Sequence, residues 1–217
     1  MAAAFRDRTD AGRRLASLLR SYAGNPEAIV LALPRGGVPV GFEVARALDL
    51  PLDVFIVRKI GVPGHEELAM GAIASGNVLV LNEEVIQHLH IPQAMIDAVA
   101  ARESQEMARR ERAYRDDAPP PSLTGRVAIL VDDGLATGSS MKAAVRALRQ
   151  QNASRIVVAV PVAPKIVVDD FRALADEIVC VETPEDFYAV SVWYDDFDQT
   201  TDREVRQLLA ASHGVHS

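Results

Sequence analysis

One stretch limits what this chain can become: residues 127–141, Val-Ala-Ile-Leu-Val-Asp-Asp-Gly-Leu-Ala-Thr-Gly-Ser-Ser-Met. Five apolar residues in a row read as a strand buried on both faces. Two carboxylates, Asp132 and Asp133, stand at its C-terminal end, and a run of small residues then leads into a helix. Ligands of open α/β sheets bind beyond the carboxyl ends of the strands. The backbone N–H groups of Ala136, Thr137, Gly138, Ser139 and Ser140, opening a helix, form a cup for a phosphate. Asp132 and Asp133 repel that phosphate, so they must face something else. The hydroxyls of a sugar carrying it are the natural partners.

These residues resemble the phosphoribosyl-diphosphate (PRPP) motif of type I phosphoribosyltransferases. The resemblance implies a Rossmann-like α/β fold, a parallel sheet flanked by helices with a small hood and a flexible loop. It implies that Asp132 and Asp133 hold the ribose hydroxyls and that the loop 136–140 holds the 5′-phosphate. Gly134 departs from the pattern, where an aliphatic residue is usual. A Walker-type phosphate loop is excluded, because no Gly-Lys-Ser/Thr follows at the right spacing.

Strand-like and helix-like segments alternate around this stretch, which implies a parallel sheet with right-handed crossovers. An amphipathic helix is expected over residues 10–22, capped by Thr9 or Asp10, with Leu15, Leu18, Leu19 and Tyr22 on one stripe. An apolar strand at 28–33 breaks into Pro34-Arg35-Gly36-Gly37, and Pro39 fits the first turn of the helix that follows. Two glycines allow close backbone approach, and Arg35 adds a permanent forked cation. By resemblance, Arg35, Gly36 and Gly37 receive the diphosphate. A strand at 52–57 would leave Arg58 and Lys59 on the same rim, where the resemblance gives them a share of the diphosphate and of catalysis.

Residues 61–68 carry three turn residues and no periodicity, so a mobile loop is expected. A hairpin follows, with strands 70–74 and 78–81 about a turn at Ser75-Gly76-Asn77. His65, Glu66 and Glu67 are candidate proton-transfer groups only if that loop closes over the reacting centre, as it does in the family. His88 and His90 lack a third ligand at a supporting spacing and read as surface residues. The helix expected over 92–115 is heavily charged, and ionic pairs at helical spacing explain it as a solvated face. Further segments are a strand at 155–160, a helix at 165–175, a strand at 177–181 and a closing helix at 201–211. The aromatics of 184–197 suggest a hood, with Phe187 and Trp193 as candidates to stack on a base. The core is placed at 28–182, within one domain spanning 1–217.

Composition narrows the partners. The chain has 217 residues, 49% apolar and 24% charged, with a net charge of −7. That acidity argues against a nucleic-acid partner. The single cysteine, Cys180, lies in an apolar run and reads as a small buried hydrophobe. No apolar run is long enough to cross a membrane, and the charged N-terminus is unlike a signal peptide, so a cytoplasmic protein is expected.

The function expected is Mg²⁺-dependent transfer of the phosphoribosyl group of PRPP to a small-molecule acceptor, with Mg²⁺ carried by PRPP rather than by protein ligands. Relatives in the family commonly form homodimers. Two rivals remain: a non-catalytic PRPP-binding regulator, and a phosphohydrolase using the acidic pair for metal, which the phosphate cup disfavours. Relatives acting on 6-oxopurines carry an aspartate at the position of Ala136, and a methyl group cannot replace its proton chemistry.

Overall fold

The computed structural model describes residues 3–115 and 119–213. Within these, the side chains of Glu66, Glu67 and His213 lie outside the described part. The main sheet has five parallel strands: β1 (Ala28–Ala32), β2 (Leu52–Val54), β6 (Val127–Val131), β7 (Arg155–Val162) and β8 (Glu177–Glu182). Their order is β2-β1-β6-β7-β8. The chain reverses direction of travel between β1 and β6, so those two strands flank the switch point where open sheets bind ligands. Ala32 pairs with Val54 on one side and Val131 on the other, which levels three strand ends into one rim.

Alternation along the strands builds the core. Val30, Ala32, Ile129 and Val131 pack on one face with α1 (Arg8–Leu18), α2 (Gly37–Leu48) and α7 (Asp202–His213). Ile29, Leu31, Ala128 and Leu130 pack on the other with α5 (Ser139–Gln150) and α6 (Lys165–Arg172). Both faces of β1 and β6 are therefore dry, as an unbroken apolar run requires.

A second sheet of three antiparallel strands stands beside the first: β3 (Val57–Val62), β4 (His65–Ala74) and β5 (Val78–Leu81). Here two expectations are corrected. The apolar run 52–57 is not one strand. Pairing with β1 stops at Val54, and Val57 already pairs with Ala74 in the small sheet. Residues 61–68 are not an open loop but the tip of the β3–β4 hairpin, turning at Pro63-Gly64. Irregular pairing between Ile60 and Val62 breaks the two-residue alternation that would have revealed the strand. The turn at Gly76-Asn77 is as expected, with both residues at positive φ, which suits a tight hairpin turn.

Helix α4 (Gln93–Arg115) packs on the small sheet, burying Ile96, Met107 and Tyr114. α3 (Glu83–His88) leads into it, and Asn82 caps α3 by accepting from the Val85 N–H. The first helix is shorter than expected: Asp7 is its N-cap, it ends at Leu18, and Leu18 is 53% exposed rather than part of the buried stripe. The hood carries a short 3-10 turn, Val190–Trp193, and is tied to the N-terminus. The Ala4 and Phe5 N–H groups donate to the Trp193 carbonyl, and Phe5 packs on Tyr194. No helix among the described residues is long and apolar enough to cross a membrane.

Candidate active site

The rim at the switch point is built by two loops in direct contact. Leu33 N–H donates to the Val131 carbonyl at 2.9 Å, which lays the turn 34–37 against the acidic end of β6. A Cβ on Gly36 would collide with Asp133 Oδ2, and one on Gly37 would stand 2.7 Å from the Val131 carbonyl oxygen. Only glycine admits this approach. Gly134 is explained likewise, since Val190 of the hood and Val162 fill the space an aliphatic side chain would take.

The two carboxylates are treated differently. Asp132 lines a cavity of about 360 Å³. Burial first, and then the neighbouring Asp133, push its carboxyl well above the usual carboxylate range. Asp133 faces the N-terminus instead. Arg8 Nε and Nη2 lie 2.9 and 2.8 Å from Asp133 Oδ2. Arg8 also donates to the Asp198 carbonyl at 2.7 Å and lies 3.9 Å over the Phe197 ring. Burial still raises Asp133, with Arg8 opposing it. Tyr194 Oη donates to the Asp133 carbonyl at 2.6 Å. The sequence gives no local sign of Arg8, which lies 125 residues away along the chain.

The loop 136–140 enters α5 through Gly138, at φ +69°. The first regular helical bond runs from Lys142 N–H to the Gly138 carbonyl, so the N–H groups of Ser140 and Met141 precede any such partner. Ala136, Thr137, Ser139 and Ser140 are exposed, and the Thr137 and Ser139 hydroxyls bond each other at 2.9 Å. Of this loop, Ser140 lines the same cavity as Asp132.

Arg35 reaches this cavity, but Arg58 and Lys59 do not line it. Both lie within β3, not at the end of a core strand, because the run 52–57 divides between two sheets. Arg58 is paired with Glu103 at 2.6 Å. Lys59 opens into an adjoining cavity of about 240 Å³ with Ser139, Lys142 and Arg146, which meets the first at Val57 and Ser140. The hood aromatics are also elsewhere: Phe187 and Trp193 pack against Phe5, Val162 and Tyr194 rather than lining the cavity. His65 is exposed at the hairpin tip, and no group of three His, Cys, Asp or Glu among the described residues could hold a metal. Cys180 is half-buried rather than fully buried as expected, and desolvation pushes its thiol up to about 12, which disfavours a nucleophile.

What the sequence reading missed comes from α4 and α7. Arg109, Arg110, Tyr114 and Asp202 all line the cavity. Tyr114 Oη donates to Asp202 Oδ1 at 2.7 Å, and Arg35 Nη1 stands 3.9 Å from the same oxygen. Burial and Asp202 together push the Tyr114 hydroxyl up to about 12. A signal existed: Met107 and Tyr114 are seven residues apart on one buried face, and Arg110 lies one turn before Tyr114.

The chain is similar to known proteins in sequence and in structure. A Mycobacterium tuberculosis protein provisionally named a phosphoribosyl transferase is 47% identical over 209 residues, covering 96% of this chain and 47% of that protein. The chain thus spans about half the length of this curated relative. The crystal structure of TT1426 from Thermus thermophilus is 43% identical with a TM-score of 0.84, covering 95% of this chain and 98% of that one. The AQ2163 protein of Aquifex aeolicus shares the fold at a TM-score of 0.50 and 11% identity, over 94% of this chain and 85% of that one. A family model for the phosphoribosyl transferase domain matches residues 72–197, which run from β4 through α4 and the acidic strand end to the hood. That is more than half of the chain, and the chain belongs to the phosphoribosyl transferase domain family.

Proposed function

We propose that this protein is an Mg²⁺-dependent phosphoribosyltransferase that takes PRPP as donor and releases diphosphate as a nucleobase-like acceptor attacks C1 of the ribose. The observation that carries this reading is a meeting of three elements around one cavity at the switch point. They are a Gly-Gly turn bearing Arg35, the carboxylate Asp132, and the hydroxyl-rich start of α5.

Displacement at C1 forms a bond to the acceptor as the bond to the diphosphate oxygen breaks. Positive charge builds on the ring and negative charge on the leaving group. Asp132 accepts from the ribose hydroxyls and offsets the ring charge. Asp133, held by Arg8, braces the turn that carries Asp132. The N–H groups at Gly36 and Gly37, with Arg35, receive the diphosphate as its charge grows. The α5 N-terminus, with Ala136, Thr137, Gly138, Ser139 and Ser140 around it, anchors the 5′-phosphate.

The residues fit Mg²⁺ in one respect: the Asp132 carboxylate faces the cavity in a setting that disfavours its lone negative charge. A cation that prefers one or two carboxylates plus substrate phosphates suits such a site. When bound, it supplies charge neutralisation to the leaving group. The acidic sequence without a long apolar run supports a cytoplasmic setting.

The test is diphosphate release from Mg·PRPP across a panel of nucleobases. Release with one or more bases is expected. PRPP binding without release from any would make the protein a sensor rather than an enzyme. Ala136 adds a finer expectation, because its methyl group has no proton acceptor for a 6-oxopurine. Hypoxanthine, guanine and xanthine should turn over far below the typical enzyme rate of about 10 per second. Steady-state assays at saturating Mg·PRPP decide it, and ordinary turnover on any of the three refutes it.

A further inference from the structure

The cavity that holds Asp132 has cations that the acidic motif does not supply. Arg109 and Arg110 project into it from α4, a helix whose charge pattern alone reads as a solvated face. We infer that Arg109 and Arg110, together with Arg35, form a guanidinium clamp for the diphosphate group of PRPP and for released diphosphate. This rests on the proposed function and adds α4 to its machinery.

Charge balance leads to the same residues. PRPP is a polyanion, and two acids, Asp132 and Asp202, already line its cavity. Of the cations expected from the strand rim, neither Arg58 nor Lys59 lines this cavity. Arg58 Nη2 is 2.6 Å from Glu103 Oε2, and Lys59 lies in the adjoining cavity beyond Ser140. The cations that do line the Asp132 cavity are Arg35, Arg109 and Arg110.

Arg109 and Arg110 keep positive charge to offer because they share one carboxylate. Arg109 donates to both oxygens of Glu106, at 2.8 and 2.9 Å, and Arg110 donates to Glu106 at 3.0 Å. One negative charge between two guanidinium groups leaves this α4 cluster with one net positive charge, which with Arg35 faces the acids Asp132 and Asp202. Each guanidinium has five N–H donors. Glu106 takes two from Arg109 and one from Arg110, which leaves donors for phosphate oxygens. Planar forks of this kind match phosphate geometry better than lysine ammonium groups do.

The helix is also anchored well enough to present them. Arg115 Nε bonds both oxygens of Asp53 at 2.9 and 3.0 Å, and its Nη2 bonds the Val54 carbonyl at 2.8 Å. That ties the end of α4 to β2, inside the main sheet. Tyr114 completes the link by bonding Asp202, which lies beside Arg35. The two sources of guanidinium groups are thus joined through the cavity wall.

The experiment compares calorimetric affinities for Mg·diphosphate and for ribose 5-phosphate in the full chain. In the Arg109→Gln/Arg110→Gln double variant, diphosphate affinity should fall by roughly 30-fold or more, as loss of two charge-assisted contacts implies. Ribose 5-phosphate affinity should stay within about 3-fold, since it lacks the group the clamp holds. Arg112→Gln removes the same charge from an exposed position on the same helix and should leave both affinities nearly unchanged. Arg109→Lys/Arg110→Lys, which keeps charge but loses the forks, should fall between.

Unchanged diphosphate affinity in the double Gln variant overturns the clamp, and so does equal loss of both ligands. An Arg112→Gln loss as large as that of the double variant overturns it too, by reducing the effect to net charge. Wild-type protein without affinity for Mg·diphosphate or Mg·PRPP overturns the proposed function as well. Wild-type binding with an unaffected double variant overturns the clamp alone.

Discussion

Two regions face the same cavity and are held by different physics. The strand rim, where the 34–37 turn meets the end of β6, is fixed by contact. Glycine backbones lie so close to Val131 and Asp133 that no Cβ fits between them. The α4 arm is fixed by charge, since the buried Arg115–Asp53 pair anchors it and exposed arginines extend from it. Contact between backbones leaves a single geometry. An ionic anchor with solvated ends leaves the tips free to exchange Glu106 for another anion. One side of the site is therefore rigid and the other adaptable.

The largest effect should come from removing the anchor. Arg115→Ala strips Asp53 of a partner that is only 5% exposed. Breaking a buried ion pair by removing one partner typically costs about 3–5 kcal/mol. Chemical denaturation should show that loss. Hydrogen exchange should rise in α4 more than in β1 or β6, and an equal rise in both would erase the contrast between the two regions.

Gly37→Ala comes next. The new methyl meets backbone at 2.7 Å, and backbone gives way less readily than a side chain. Overpacking of this sort typically costs about 1–3 kcal/mol. The melting temperature should drop and Mg·PRPP affinity should fall with it. A variant of normal stability and affinity would show that the rim is not fixed by contact.

Arg8→Ala tests the hood side of the rim. Arg8 and Asp133 are both mostly buried, with side chains 12% and 15% exposed. Losing charge-assisted bonds in such a place should cost about 2 kcal/mol. Thermal melts would measure it. Arg8→Lys should recover little, because an ammonium group cannot reproduce the two Arg8 bonds to Asp133, the bond to the Asp198 carbonyl and the stack on Phe197 together.

The smallest effect has the opposite sign. Folding raises the carboxyl of Asp132 above its ordinary range, so between those two pKa values the folded state holds more protons than the unfolded one. Stability then falls as pH rises through that window, and the ionised carboxylate is a burden at neutral pH. Asp132→Asn removes it and keeps an oxygen for the Asp133 N–H. The variant should melt higher than wild type at pH 8, by about 1 kcal/mol of stability, and the gain should shrink in acid. Its Mg·PRPP affinity should fall at the same time. A gain that grows on acidification would show the sign to be wrong.

How much of this was legible depended on how local its cause is. Residues 127–141 named their own structure, because an apolar run fixes a buried strand and the acids and small residues after it fix the rim. The Gly36-Gly37 turn was legible for the same reason. The division of 52–57 was not, since an apolar run is equally satisfied by one sheet or by two. Only the length of β1 decides where its pairing ends. The hairpin tip at 61–68 hid behind irregular pairing, which erases the alternation a strand would show.

Local sequence was enough for the alternating α/β layout, the apolar core strands and the chemistry of the acidic strand end. Periodicity and turn residues act over a few positions and need no partner to be read. Tertiary structure alone decided which charges face the cavity. It turned Asp133 towards Arg8, drew Arg58 away to Glu103, and brought Arg109, Arg110 and Asp202 to the site. A charged side chain looks the same in sequence whether it meets water, an acid or a ligand. What it meets is set by elements that pack together from distant parts of the chain.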